Sequence, residues 1–164
     1  MSTRSPSSPP PSPRISTARL SLYNISQALI RIRRLRHGKP ISSSSGPAPI
    51  THPSLPGAMS ATKIPMNRDD EFICASGVDV PKLLRACRST LLEQARKIGA
   101  NVLVDEHWNV SITPQKTGED GPYKVQIQYS ANATRSDRRD PGRPVALDQA
   151  ISVPGLMTIV KRSK

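Results

Sequence analysis

The sequence predicts a two-layer α+β domain over residues 66–164, one long helix packed on a mainly antiparallel sheet, behind a disordered segment of residues 1–65. Three observations carry this. Residues 1–65 hold 11 of the 17 prolines and 9 of the 24 Lys/Arg, whereas all 12 acidic residues fall at or after Asp69. Residues 80–98 repeat apolar side chains at helical spacing, and residues 102–112 and 123–134 alternate them at strand spacing. The resulting order is β-α-β-β-(short helix)-β.

Within residues 1–65, MSTRSPSSPPPSPR and ISSSSGPAPITHPSLPG have too little apolar surface to offset chain entropy. Both are expected to be disordered. Between them, RISTARLSLYNISQALIRIRRLRHGK carries Leu22, Ile25, Leu29 and Ile32 at helical spacing among arginines and serines. That composition suits a mitochondrial presequence, because a cationic helix with an apolar stripe is drawn by the membrane potential. It equally suits a nuclear-import or nucleic-acid patch at RIRRLRHGK, a solvated tail without an address, or an extension ahead of a start at Met59 or Met66.

The folded part opens with a short strand, Phe72 to Ala75, ended by Ser76-Gly77. A helix follows. Asp79 suits its N-cap, Pro81 its first turn and Gly99 its left-handed C′ position, with Leu84, Cys87, Leu91, Ala95 and Ile98 as the apolar face. Arg88 is expected off that face. In VLVDEHWNVSI (102–112) the even positions are the core face, so Asp105 and His107 share the open face and Glu106 is the one charge in an apolar row. A turn-rich connection, TPQKTGEDGP, leads to YKVQIQYSANATR, whose Tyr123, Val125, Ile127, Tyr129, Ala131 and Ala133 face inward. Asp140-Pro141-Gly142 offers type II turn chemistry, ALDQAI a helical turn, and Leu156 to Val160 a last strand.

A helix ending KIGAN, then a hydrophobic strand, a polar loop and YKVQIQYSANA, resembles the core of the small YbjQ-type α+β domains across residues 83–133. The resemblance implies heavy-metal binding and oligomer formation as family traits. It carries no site residue over, and the glycine those domains tend to have in the last strand is Ser130 or Ala131 here.

Net charge is +12, but the basic excess sits mostly in residues 1–65, so a nucleic-acid binder is poorly supported for the folded part. Two cysteines and the lack of a long apolar run indicate neither a disulfide scaffold nor a membrane span. With no secretory signal, an intracellular compartment, mitochondrial or cytoplasmic, is expected.

Candidate chemistry is sparse. Asp105 and His107 lie two residues apart on one strand face, where an aspartate could orient a histidine general base, but a spacing of about 6–7 Å suits a shared ligand or partner better than a direct bond. Glu106 needs a neutraliser such as Arg135, a place at the sheet margin, or a β-bulge at Asp105-Glu106 that turns it outward. Arg135, Arg138, Arg139 and Arg143 form a candidate anion site, interrupted by Asp137 and Asp140. Cys74 and Cys87 read as buried thiols rather than metal ligands, and no nucleophile motif or cofactor loop accompanies them. The reading that follows is a non-enzymatic interaction or self-assembling module, acting through a sheet edge or the polar sheet face. The alternatives are a mitochondrial RNA- or ribosome-associated protein and a small metal- or ligand-binding domain.

Overall fold

The structure is a computed structural model and describes residues 39–55, 60–115 and 121–163. The expectations for residues 1–38, disorder and targeting alike, lie outside the described residues. The elements are β1 (Ile41–Ser44), β2 (Ile64–Ala75), α1 (Val80–Lys97), β3 (Val102–Pro114), β4 (Tyr123–Thr134), a 3₁₀ turn (Leu147–Gln149) and β5 (Thr158–Ser163). The strands form one antiparallel sheet in the order β1-β3-β4-β2-β5, and α1 packs across one face of it. This is the α+β arrangement that the periodicities predict.

The expected start of the fold at residue 66 is corrected. Residues 41–44 pair with β3, Ile41 opposite Ile112 and Ser44 opposite Asn109, and Leu55 is fully buried. ISSS carries no strand signal because the other edge of β3 supplies the order: main-chain pairing needs no apolar side chain. β2 is 12 residues rather than four, running from Ile64 opposite Ala133 to Cys74 opposite Tyr123. Its first half hides in the sequence because Arg68 and Asp70 occupy inward positions that strand patterning reserves for apolar residues.

Helix α1 begins where expected. The Asp79 carboxylate accepts from the Lys82 N–H at 3.0 Å, Pro81 sits in the first turn, and Gly99 (φ 84°) lets the chain leave the helix. Its buried face is Val80, Leu83, Leu84, Cys87, Arg88, Leu91, Leu92 and Ala95. Two expectations fail here: Ile98 is 52% exposed, whereas Arg88 is 1% exposed. The face therefore contains a charge that a hydrophobic pattern assigns to solvent. β4 alternates as its sequence predicts, with Val125, Ile127, Tyr129, Ala131 and Ala133 buried.

Between β4 and β5 the chain makes the Asp140-Pro141-Gly142 turn (Gly142 φ 69°) and the 3₁₀ turn, then crosses the β2–α1 junction through a Val78–Val153 bridge. There Gly155 lies against Ser76 and Gly77; a Cβ on Gly155 would come 1.6 Å from the Ser76 carbonyl oxygen. β5 starts two residues later than expected, leaving Leu156 86% exposed. Among the described residues it pairs with β2 on one side only and forms an edge of the sheet.

Candidate binding face on the open side of the sheet

Asp105 and Glu106 form a β-bulge. Val104 is opposite Asn132 and His107 opposite Ser130, so Asp105 and Glu106 together span the place of Ala131. Asp105 adopts φ 49°, the left-handed conformation that a short carboxamide or carboxylate residue tolerates. The bulge shifts the side-chain alternation by one. Before it, Leu103 joins the core under α1 while Val102 and Val104 pack with Leu55 on the opposite face; after it, Trp108, Val110 and Ile112 face α1. The expected single parity from Val102 to Ile112 is thus corrected.

Glu106 is fully buried and points inward despite the bulge. Arg88, not Arg135, neutralises it: Nε and Nη2 donate to the two Glu106 oxygens, each at 2.9 Å. The same guanidinium donates to Asp140 through Nη1 (2.6 Å) and Nη2 (3.0 Å), and the Tyr129 hydroxyl donates to Glu106. Asp140 also accepts from the main-chain N–H groups of Leu103 and Gly142. Burial, with the neighbouring Asp140 charge, lifts the Glu106 carboxyl above its ordinary value even though Arg88 and Tyr129 pull the other way. Burial also raises Asp140, but Arg88 and the two amides outweigh it and hold that carboxyl low.

A second buried pair stands on β2. Arg68 grips Asp70 with two hydrogen bonds, Arg162 of β5 is its second cationic partner, and Arg162 lies over the Phe72 ring at 5.1 Å. Burial and then the Asp70 carboxylate raise the Cys87 thiol, so it stays protonated and unreactive. Cys74 and Cys87 are both buried and free. Among the described residues no three His, Cys, Asp or Glu side chains gather as a metal set.

On the other face Asp105 and His107 do lie together, but they do not engage each other. The Asp105 carboxylate accepts from Lys63 (2.6 Å), Asn132 (3.0 Å) and Thr51 (3.0 Å), and these partners, Lys63 foremost, hold it below its ordinary value. His107 Nε2 donates to the Gly46 carbonyl at 2.9 Å. A carbonyl only accepts, so Nε2 carries the proton and a neutral ring keeps its lone pair on Nδ1. Asp105 therefore cannot orient His107 as a general base; both instead anchor residues 46–51, which bridge back to β3 at Ile50–Glu106.

Beyond those two, the open face is a ladder of polar side chains in register, neutral except for Asp69 and Glu71. Ser44, Asn109, Gln128 and Asp69 form one cross-strand row, with Ser42, Ser111, Gln126 and Glu71 in the next. Two adjoining cavities of about 540 and 270 Å³ lie over it, sharing Asp69, Asn109 and Gln128. Nothing in the sequence beyond the alternation of β4 announces this row, because β1 and the first half of β2 carry no apolar pattern.

The four arginines of the SDRRDPGRP loop do not converge. Arg135 donates to the Gly99 carbonyl (2.8 Å), Arg138 to the Ser54 carbonyl (2.7 Å) and Arg143 to His52 Nε2 (3.1 Å), while Arg139 is exposed. Asp140, expected to dilute their charge at the surface, turns inward to Arg88. No helix among the described residues is long and apolar enough to cross a membrane. No protein-family model, curated protein or solved structure matches this chain.

Proposed function

We propose that the protein is a non-enzymatic interaction module that pairs with a second copy of itself through the free edge of β5. The observation that carries this reading is the exposure of Leu156 (86%), Val160 (65%) and Ile159 (45%) on and beside an edge strand. An exposed apolar edge presents unpaired main-chain donors and acceptors, a template for another strand. The strand is also self-complementary. A two-fold axis at Val160, the residue that bulges from the β2 ladder between Ile159 and Lys161, sets Val160 against its copy, Ile159 opposite Lys161 and Thr158 opposite Arg162, so no like charges face each other.

The non-catalytic part of the reading rests on how the buried charges are used: Arg68 with Asp70, and Arg88 with Glu106 and Asp140, are satisfied by one another. The test is sedimentation equilibrium of the full chain. The native protein forms a dimer; Val160→Lys, which opposes two ammonium groups at the axis, weakens it at least tenfold, and Val160→Ile preserves it. A native chain that stays monomeric at about 100 μM, a hundredfold above a micromolar Kd, overturns the proposal. So does a dimer indifferent to Val160→Lys.

A further inference from the structure

We infer that the polar trough on the open sheet face is a binding site for a neutral, hydroxyl-rich ligand, a short oligosaccharide. The cavity of about 540 Å³ is within the usual range for ligand clefts, and it is built on four paired strands rather than on loops. Its central row is Ser44, Asn109, Gln128 and Asp69, one residue per strand, spanning about 14 Å at about 4.8 Å per strand. The side chains of Asn109, Gln128 and Asp69 have no hydrogen-bond partner among the described residues, and all three are exposed. His107 lines the adjoining cavity with Nε2 committed to Gly46.

The composition of the trough selects the ligand by elimination and by match. Among the described residues the larger cavity is lined by no cation, Arg68 beside the smaller one is buried and held by Asp70, and Asp69 is an unpaired carboxylate, so phosphates and nucleic acids are repelled. The apolar residues of the lining, Val110, Ile127 and Tyr129, turn their side chains into the core, so none is presented for a flat apolar ligand or for the dry core that a protein interface needs. A carboxamide offers two donors and an acceptor, a carboxylate accepts only, and a serine does either. A sugar hydroxyl, which both donates and accepts, satisfies each of these in turn. A row of such groups suits a chain of hydroxyl-bearing rings. Without an aromatic platform to stack on, the affinity is modest, with Kd at about 0.1–1 mM.

The experiment titrates the ¹⁵N-labelled full chain with maltotriose, cellotriose and triacetylchitotriose, reading the side-chain NH₂ resonances of Asn109 and Gln128. At least one trisaccharide shifts both, and Asn109→Ala and Gln128→Ala each weaken it about tenfold (about 1.4 kcal/mol). Asp69→Asn, which keeps a hydrogen-bonding group and removes the charge, changes the affinity of a neutral ligand less than threefold. Three results overturn the inference. One is no shift with any of the three sugars at about 10 mM, tenfold above the weakest expected Kd. Another is a response to spermidine alone, which would make the ligand a cation held by Asp69. The last is movement of these resonances on simple dilution, which would make the face a contact between copies.

Discussion

Replacing Arg88 by methionine isolates the energetics of the buried network. Arg88 donates four hydrogen bonds of 2.6–3.0 Å to two carboxylates, with its side chain 2% exposed and those of Glu106 and Asp140 at 0% and 5%. Charge-assisted bonds of about 1.5–3 kcal/mol each would total about 6–12 kcal/mol. Much of this is offset, because the variant no longer desolvates a guanidinium. The net loss for stranding a buried charge is about 3–5 kcal/mol. At a urea slope of about 2 kcal/mol/M, the midpoint falls by about 2 M. Trp108, the sole tryptophan, is fully buried with its indole N–H donating to the Val145 carbonyl, so its fluorescence reports the transition.

The pH dependence adds a sign test. In the native protein Asp140, held low, contributes stability that is present above its unfolded value and lost as the pH falls through its folded value. Glu106, held high, contributes in the opposite sense: full below its unfolded value and lost as the pH rises through its folded value. The two slopes oppose each other. Without Arg88 both carboxyls are raised, so the variant loses stability steeply as pH rises from about 4 to 7. The gap between native and variant is therefore widest at neutral pH. Arg88→Met/Glu106→Gln, which removes one of the stranded charges, recovers part of it. An Arg88→Met protein with the native urea midpoint at pH 7, or a gap that does not narrow towards pH 4.5, refutes the reasoning.

Other substitutions test single contacts. Gly155→Ala, which forces a Cβ to 1.6 Å from the Ser76 oxygen at φ 137°, costs about 3 kcal/mol by urea denaturation, whereas Gly142→Ala, at φ 69° in open space, costs about 1 kcal/mol. Asp79→Ala removes the cap that accepts from the Lys82 N–H and lowers stability by about 1 kcal/mol on the same assay. Asp105→Ala releases Thr51, Lys63 and Asn132 and speeds hydrogen exchange at the Ile50 amide, while the amides of α1 keep their protection. If the Ile50 amide is unaffected, Asp105 does not anchor residues 46–51.

What was legible in the sequence depended on whether a residue's environment matched its type. The helix announces its start and end because Asp79, Pro81 and Gly99 act through local backbone geometry. β4 announces itself because a strand packed on one face and wet on the other must alternate. Arg88 and Asp140 were illegible, since each looks like a surface residue until the other, 52 positions away, closes the pair. β1 was hidden for a different reason: its order comes from the edge of β3. The polar row inherits that invisibility, since its members come from β1, β2, β3 and β4, and two of those strands had to be seen first.

The bulge at Asp105-Glu106 joins these features. A strand in unbroken alternation that placed Glu106, Trp108, Val110 and Ile112 under α1 would also place Val102 and Val104 there and send Leu103 outward. The extra residue reverses the first half, so Leu103 fills the core under α1 while Val102 and Val104 receive Leu55 on the other face. It also leaves the main-chain groups of Glu106 to pair with Ile50, Glu106 N–H to the Ile50 carbonyl at 2.8 Å and the reverse bond at 2.9 Å. One inserted position thus gives residues 46–55 both an apolar seat and a backbone partner, and it sets Asp105 where Thr51, Lys63 and Asn132 converge. Deleting Asp105 would restore a regular ladder, Glu106 opposite Ala131, with Leu103 and Glu106 still inward and Val102 and Val104 still on the other face; what it removes is the carboxylate on which Thr51, Lys63 and Asn132 converge. Asp105 and His107 therefore hold the N-terminal stretch against β3, and the face left open begins at the row after them, with Asn109.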